Sequence, residues 1–134
     1  NLDKKLDAEM IRASALVTAM ACIRNGTTFV IDHHASPLAI KGSLEVIAGA
    51  FQKVGINHLL CYEMSDRDGE KVCEEGLAET ASYLEKRNGL VGLHASFTVS
   101  DRLLSSAAEL CEKYNSILCH EESVLYHFST LSDI

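Results

Sequence analysis

GLVGLHASFTVSD (Gly89–Asp101) sets the fold: its first run, Leu90 to Leu93, ends in a histidine and is followed by Ser100, a residue type that caps helices. A strand with one wet face is apolar at alternate positions, whereas Leu90 to Leu93 carries no polar residue, as expected of a central parallel strand covered on both faces. Three further runs share this plan. Thr28 to Ile31 leads into Asp32-His33-His34, Leu59 to Tyr62 into Glu63-Met64-Ser65-Asp66, and Ile117 to Cys119 into His120-Glu121-Glu122. Strand starts near Thr27, Asn57, Leu90 and Ile117 are separated by roughly one βα unit of about 30 residues.

The intervening stretches read as helices. Met10, Ile11, Leu16, Val17, Met20 and Ile23 hold helical spacing until Asn25-Gly26, a common C-terminal stop. Polar residues there are few and small after the first turns, which predicts burial on more than one side. A loop with the chain's single proline, Pro37, precedes a helix carrying Leu44, Ile47, Phe51 and Val54 and ended by Gly55. Asp68 is placed to cap the next helix, whose inward face would be Val72, Cys73, Leu77, Ala81 and Leu84. Ser100 caps a fourth, carrying Leu104, Ala107, Ala108 and Cys111, and the tail from Glu122 reads as a short helix. The expected fold is therefore α/β: four parallel strands alternating with helices in order 1-2-3-4, half of a (β/α)8 barrel. An open flavodoxin-like sheet binding a small anion is a competing architecture, but no glycine-rich phosphate loop follows the first strand.

Composition narrows the classes. With 134 residues and 47% hydrophobic content the chain suffices for one core, and a formal charge of -7 without a local Lys or Arg cluster argues against nucleic acid as a partner. No stretch approaches the ~20 apolar residues that span a bilayer. The five cysteines (Cys22, Cys61, Cys73, Cys111, Cys119) show no CxxC or CxxH spacing and read as reduced small hydrophobes, which places the protein in the cytoplasm. The start at Asn1, with a helical pattern almost at once, is expected of an internal piece of a longer chain.

Parallel α/β proteins hold their chemistry at the carboxyl ends of the strands, where the His and acidic clusters fall. His33 and His34 are adjacent, so on an extended backbone they face opposite sides and at most one enters a given pocket. Asp32 could cap the following turn. Glu63, Asp66 and Asp68 surround Arg67 either as a solvated, self-neutralising turn or as a loop that aims Arg67 across the strand ends at a substrate. His94, ahead of Ala95-Ser96-Phe97-Thr98, is the strongest single candidate: an imidazole there can donate to a substrate or polarise a leaving group near neutral pH. His120 with Glu121 and Glu122 pairs a ligand type with a proton carrier, although zinc takes three protein ligands even in catalytic sites.

Three blocks, NGTTFVIDHHASP (Asn25–Pro37), CYEMSDRDGE (Cys61–Glu70) and GLVGLHASFTVSD (Gly89–Asp101), together resemble the middle of amidohydrolase-superfamily enzymes, in the subgroup of chlorohydrolases and N-heterocycle deaminases. The resemblance runs from about Asp7 to Tyr114. It implies a (β/α)8 barrel with a divalent metal, Zn or Fe, that activates water to hydrolyse C–N bonds of a small N-heterocycle or amide. This chain would then supply one partial domain, residues 1–134, holding strands two to five of the parent barrel.

By that resemblance His94 contacts substrate, with Arg67 and Ser96 beside it, and His120 binds metal. The family's fifth strand ends HxxE. Here Ser123 stands three residues after His120, so Glu122, one place early, or Glu121 would shuttle protons. The family's HxH pair and its eighth-strand Asp have no counterpart between Asn1 and Ile134, so the segment alone is expected to be inactive. The competing reading is a non-catalytic α/β module that self-associates through its exposed barrel-interior face, since a half barrel leaves two edges and an apolar face unpaired.

Overall fold

A computed structural model describes residues 2–120. Its elements alternate: α1 (Ala8–Arg24), β1 (Phe29–His34), α2 (Ser43–Val54), β2 (Asn57–Met64), α3 (Glu70–Leu84), β3 (Val91–Leu93), α4 (Asp101–Tyr114) and β4 (Leu118–His120), with 3-10 turns at Asp3–Lys5 and Ser96–Thr98. The strands form one parallel sheet in the order β1-β2-β3-β4, as expected of half a (β/α)8 barrel. Register pairs Phe29 with Asn57, Glu63 with Gly92, and Leu93 with His120, so all four carboxyl ends lie along one rim. Among the described residues no helix is long and apolar enough to cross a membrane.

One core joins the helices to alternate strand residues. Leu60, Tyr62 and Met64 of β2 and Val91 and Leu93 of β3 are buried with Ile11, Leu44, Phe51, Tyr83 and Leu103 from the four helices. The intervening positions of β1, Phe29 and Ile31, are 49% and 58% exposed on the other face. Helix ends follow local rules. Asp7 caps α1 by accepting from Met10 N at 2.8 Å, and Ser100 caps α4 by accepting from Leu103 N at 3.2 Å. Asn115 closes α4 in the left-handed region at φ 49°. The N-terminus of α2 has no side-chain cap of its own; the buried Glu79 carboxylate of α3 accepts from Gly42 N at 2.6 Å and Leu44 N at 3.1 Å. That satisfies two of the helix's orphan donors and locks α2 to α3.

Several expectations change. β1 runs through Asp32, His33 and His34, so Asp32 caps no turn; it is a strand residue whose carboxyl is raised by burial, which outweighs His33 and His58. Asp68 does not cap α3, whose N-cap is Gly69, and instead pairs with Lys4 and, at 3.5 Å, with Arg67. The fully buried line of α3 is Cys73, Gly76, Glu79, Thr80 and Tyr83, with Val72, Leu77 and Leu84 only partly buried at its flanks against the core, because Gly76 meets the Tyr62 ring: a Cβ there would sit 3.2 Å from it. On α4 Leu103 and Ala107 are buried while Leu104 faces out. On α1 Ile11, Ala15 and Ala19 are buried, while Met10, Val17, Met20 and Ile23 are exposed, so the described residues cover the helix on one side. The tail helix expected from Glu122 lies outside the described residues.

His33 and His34 do diverge. His34 enters a cavity of about 100 Å³ between α1, β1 and α2, lined by Thr18, Asp32 and Phe51 among others. Ser36 Oγ donates to Ala39 O and accepts from His34 Nε2 at 2.9 Å. Burial lowers the imidazole from 6.5 to about 4, against a smaller upward pull from Asp3 and Glu63. The unfolded chain therefore takes up this proton before the folded one does. Stability from His34 is complete above about pH 6.5 and is lost as pH falls toward about 4, by at most ~3 kcal/mol. Urea unfolding across that range should show His34→Gln losing much of the wild-type slope; parallel curves would contradict it.

Candidate active site at the strand ends

The rim residues form one hydrogen-bonded chain. His94 follows β3, its backbone N donating to Met64 O at 2.9 Å, which continues the β2–β3 pairing to the rim. Its ring is held on both edges. Thr98 Oγ1 donates to Ala95 O at 2.7 Å, so it accepts from His94 Nδ1, also at 2.7 Å. That assigns the proton of the neutral ring to Nδ1 and leaves the Nε2 lone pair facing Arg67 Nη1, at 2.7 Å. Arg67 Nη2 donates to Glu63 Oε1 at 2.7 Å, and Glu63 Oε2 lies 3.7 Å from His33 Nδ1.

The Glu63 side chain is 8% exposed. Burial raises its carboxyl, but the neighbouring His33 ring and the charges of Arg67 and His94 overcome this and hold it below the ordinary value. Arg67 combines features of both arrangements: it reaches across the strand ends to His94 while its charge is met by Glu63 and Asp68 of its own turn. The two loops are tied together, Asp66 N donating to Thr98 O at 2.9 Å and Ser100 N to Asp66 Oδ2 at 2.7 Å. Phe97, 79% exposed, stands edge-on to His94 with centroids 6.3 Å apart. Ser96 is exposed at the start of the same turn.

His120 ends β4 opposite Leu93, on the rim that His94 continues. Glu121 and Glu122 lie outside the described residues. The only close group of metal-type donors among the described residues is a different one: His33, Cys61 and Cys119, mutually within 4.8 Å. Cys61 keeps its proton: it is pushed up by the neighbouring Cys119 sulfur, to which it donates in that arrangement, and by burial, while Asp32 O, 3.7 Å away, is the alternative acceptor. Cys119 is pulled down by that same bond, against burial, with help from His33. Spacing along the chain hides this trio. The usable signal is register: each occupies the open-face position of its strand.

One strand-end imidazole, His120, falls short of the three protein ligands a hydrolytic zinc centre takes. At the strand ends, the described residues therefore do not complete a centre around His120. What they do assemble is a rim that can accept or donate a proton at His94 Nε2 and present a guanidinium and an exposed aromatic face beside it.

The arrangement is that of a parallel α/β protein with its polar groups gathered at the strand ends. No protein-family model matches the chain, and no solved structure does. Curated proteins do. The chain is 30% identical over 120 residues to the 5'-deoxyadenosine deaminase of Methanopyrus kandleri, covering 84% of this chain and 26% of that protein. It is 30% identical over 122 residues to the 5'-deoxyadenosine deaminase of Methanocaldococcus jannaschii (85% and 27%). It is 28% identical over 125 residues to the 5-methylthioadenosine/S-adenosylhomocysteine deaminase of Thermococcus kodakarensis (87% and 28%). The chain spans about a quarter of the length of these relatives. These deaminases belong to the amidohydrolase superfamily, and the chain is similar to a partial fragment of them.

Proposed function

We propose that this chain forms part of a hydrolytic deaminase acting on the exocyclic amino group of an adenosine-type nucleoside, C–NH2 plus water giving C=O plus ammonia. In this reading the chain is one partial domain, strands two to five of a (β/α)8 barrel, in a cytoplasmic enzyme. The support is the pairing of sequence similarity to nucleoside deaminases over 84% of the chain with a strand-end histidine fixed by Thr98. Protonated, His94 would keep its bond to Thr98 and direct the new Nε2–H at a substrate heteroatom; Arg67 would release Nε2 and remain on Glu63. Phe97 offers its face to a purine. His120 would be one ligand of a divalent metal, Zn or Fe, with Glu122 or Glu121 as its carboxylate neighbour, and Ser96 a further substrate contact.

The test is ammonia release by the full-length gene product from 5'-deoxyadenosine, 5-methylthioadenosine and S-adenosylhomocysteine. Turnover of at least one is expected. Release from none of them, by a folded and metal-replete protein, would overturn the proposal and favour the non-catalytic module, whose self-association the exposed Phe29 and Ile31 face would explain.

A further inference from the structure

We propose that His33, Cys61 and Cys119 form a metal site of their own, one layer below the rim, that takes a thiophilic divalent cation of the zinc type. One donor atom from each lies within 4.8 Å of the others. Ligand atoms around tetrahedral zinc are separated by roughly 3.5–3.8 Å, given bonds of about 2.0–2.3 Å, so shifts of about 1 Å close the shell. Side-chain torsions supply that without moving the strands.

Topology selects a metal over a disulfide. Cys61 is on β2 and Cys119 on β4, with β3 between them. Two strand spacings put their backbones about 9 Å apart, beyond the roughly 7 Å limit for a disulfide's Cα atoms. The two sulfurs meet because the intervening residue is Gly92, paired in register with Cys119: a Cβ there would lie 3.0 Å from Cys61 Sγ. A bridging cation adds two metal–sulfur bonds to the reach, which a direct S–S bond cannot.

His33, paired with Cys61 in register, supplies the third donor from β1. Glu63, 3.7 Å from His33 Nδ1, is near enough to orient that ring, as carboxylates behind metal-bound histidines do. His120 belongs to a different position: neighbours on an extended strand face opposite ways, so it cannot share a cation with Cys119. Each thiol gives its proton to solvent as its sulfur–metal bond forms, no electron is transferred, and one coordination position remains for water or another ligand.

The probe is Co(II) added to the reduced full-length protein, read by sulfur-to-metal charge-transfer absorption, which nitrogen and oxygen ligands do not produce. Failure here is therefore separable from failure of the deaminase reading. The band should appear at one equivalent, fall by about half in Cys61→Ser or Cys119→Ser, vanish in the double variant and persist in Cys73→Ser. Absence of the band, or its persistence at full intensity in Cys119→Ser, overturns the site. If the variants do not fold, zinc added to the wild type should slow alkylation of Cys119 at least ~10-fold, reversed by chelator. Unchanged labelling, or a Cys61–Cys119 disulfide in a non-reducing peptide map, also overturns it.

Discussion

Gly92→Ala should be among the most destabilising single methyl additions in this chain, costing about 3 kcal/mol, the upper end of overpacking penalties. The added Cβ would stand 2.5 Å from Tyr62 O and 3.0 Å from Cys61 Cβ and Sγ. Tyr62 O is backbone of the strand that pairs with β3 at Glu63–Gly92 and Met64–Leu93, so it cannot withdraw without opening that ladder. Glycine is present because two backbones and a side chain approach closely, not because of a left-handed turn. Gly49 provides the contrast: it lies within α2 with nothing within 4 Å of a built Cβ, and Gly49→Ala should gain about 0.5–1 kcal/mol from helix propensity. Urea midpoints of the two variants should therefore move in opposite directions. A Gly92→Ala midpoint at or above that of wild type would mean that the β2–β3 approach is looser than described.

The same close approach marks where the sequence stops being legible. Strand order and parallel direction follow from helix-length segments between apolar runs, and Gly55, Asn115 and Ser100 bound their helices as their chemistry dictates. Which face of α3 turns inward could not be read that way. Apolar size puts Val72, Leu77 and Leu84 at its centre, whereas they pack at the flanks and the Tyr62 ring selects the one position without a side chain, Gly76. β1 extends through Asp32-His33-His34 because β2 supplies ladder partners as far as Tyr62, a tertiary cause with no local signature. At the rim, His94 and Arg67 were visible as residue types at a strand end. Thr98 as the group that orients the ring, Glu63 as the joint between His33 and Arg67, and the meeting of Cys61 with Cys119 across Gly92 depend on inter-strand offset.

Under the proposed deaminase function, His94→Ala in the full-length protein should lower kcat/KM for nucleoside deamination by ~10²–10⁴-fold, the range for losing a positioned proton donor, with little change in unfolding midpoint. The small stability effect follows from position: His94 lies past the end of β3, half-buried, and beside its hydrogen bonds to Thr98 and Arg67 its ring meets the exposed Phe97. In that proposal Thr98, bonded to His94 Nδ1, acts through the ring and not on substrate, so its effect should be smaller and of a different kind. Thr98→Val removes the acceptor at 2.7 Å from Nδ1 and lets the ring change tautomer, which costs roughly 10-fold in kcat, about the worth of one hydrogen bond. Thr98→Ser keeps the oxygen and should restore most of it, which a purely steric role for Thr98 would not allow. Arg67→Lys keeps the charge but loses the planar fork that spans Glu63 and His94, so its loss should appear mainly in KM. If His94→Ala retains activity within about two-fold of wild type, proton transfer at the rim belongs to another group and the Thr98–His94–Arg67–Glu63 chain is structural.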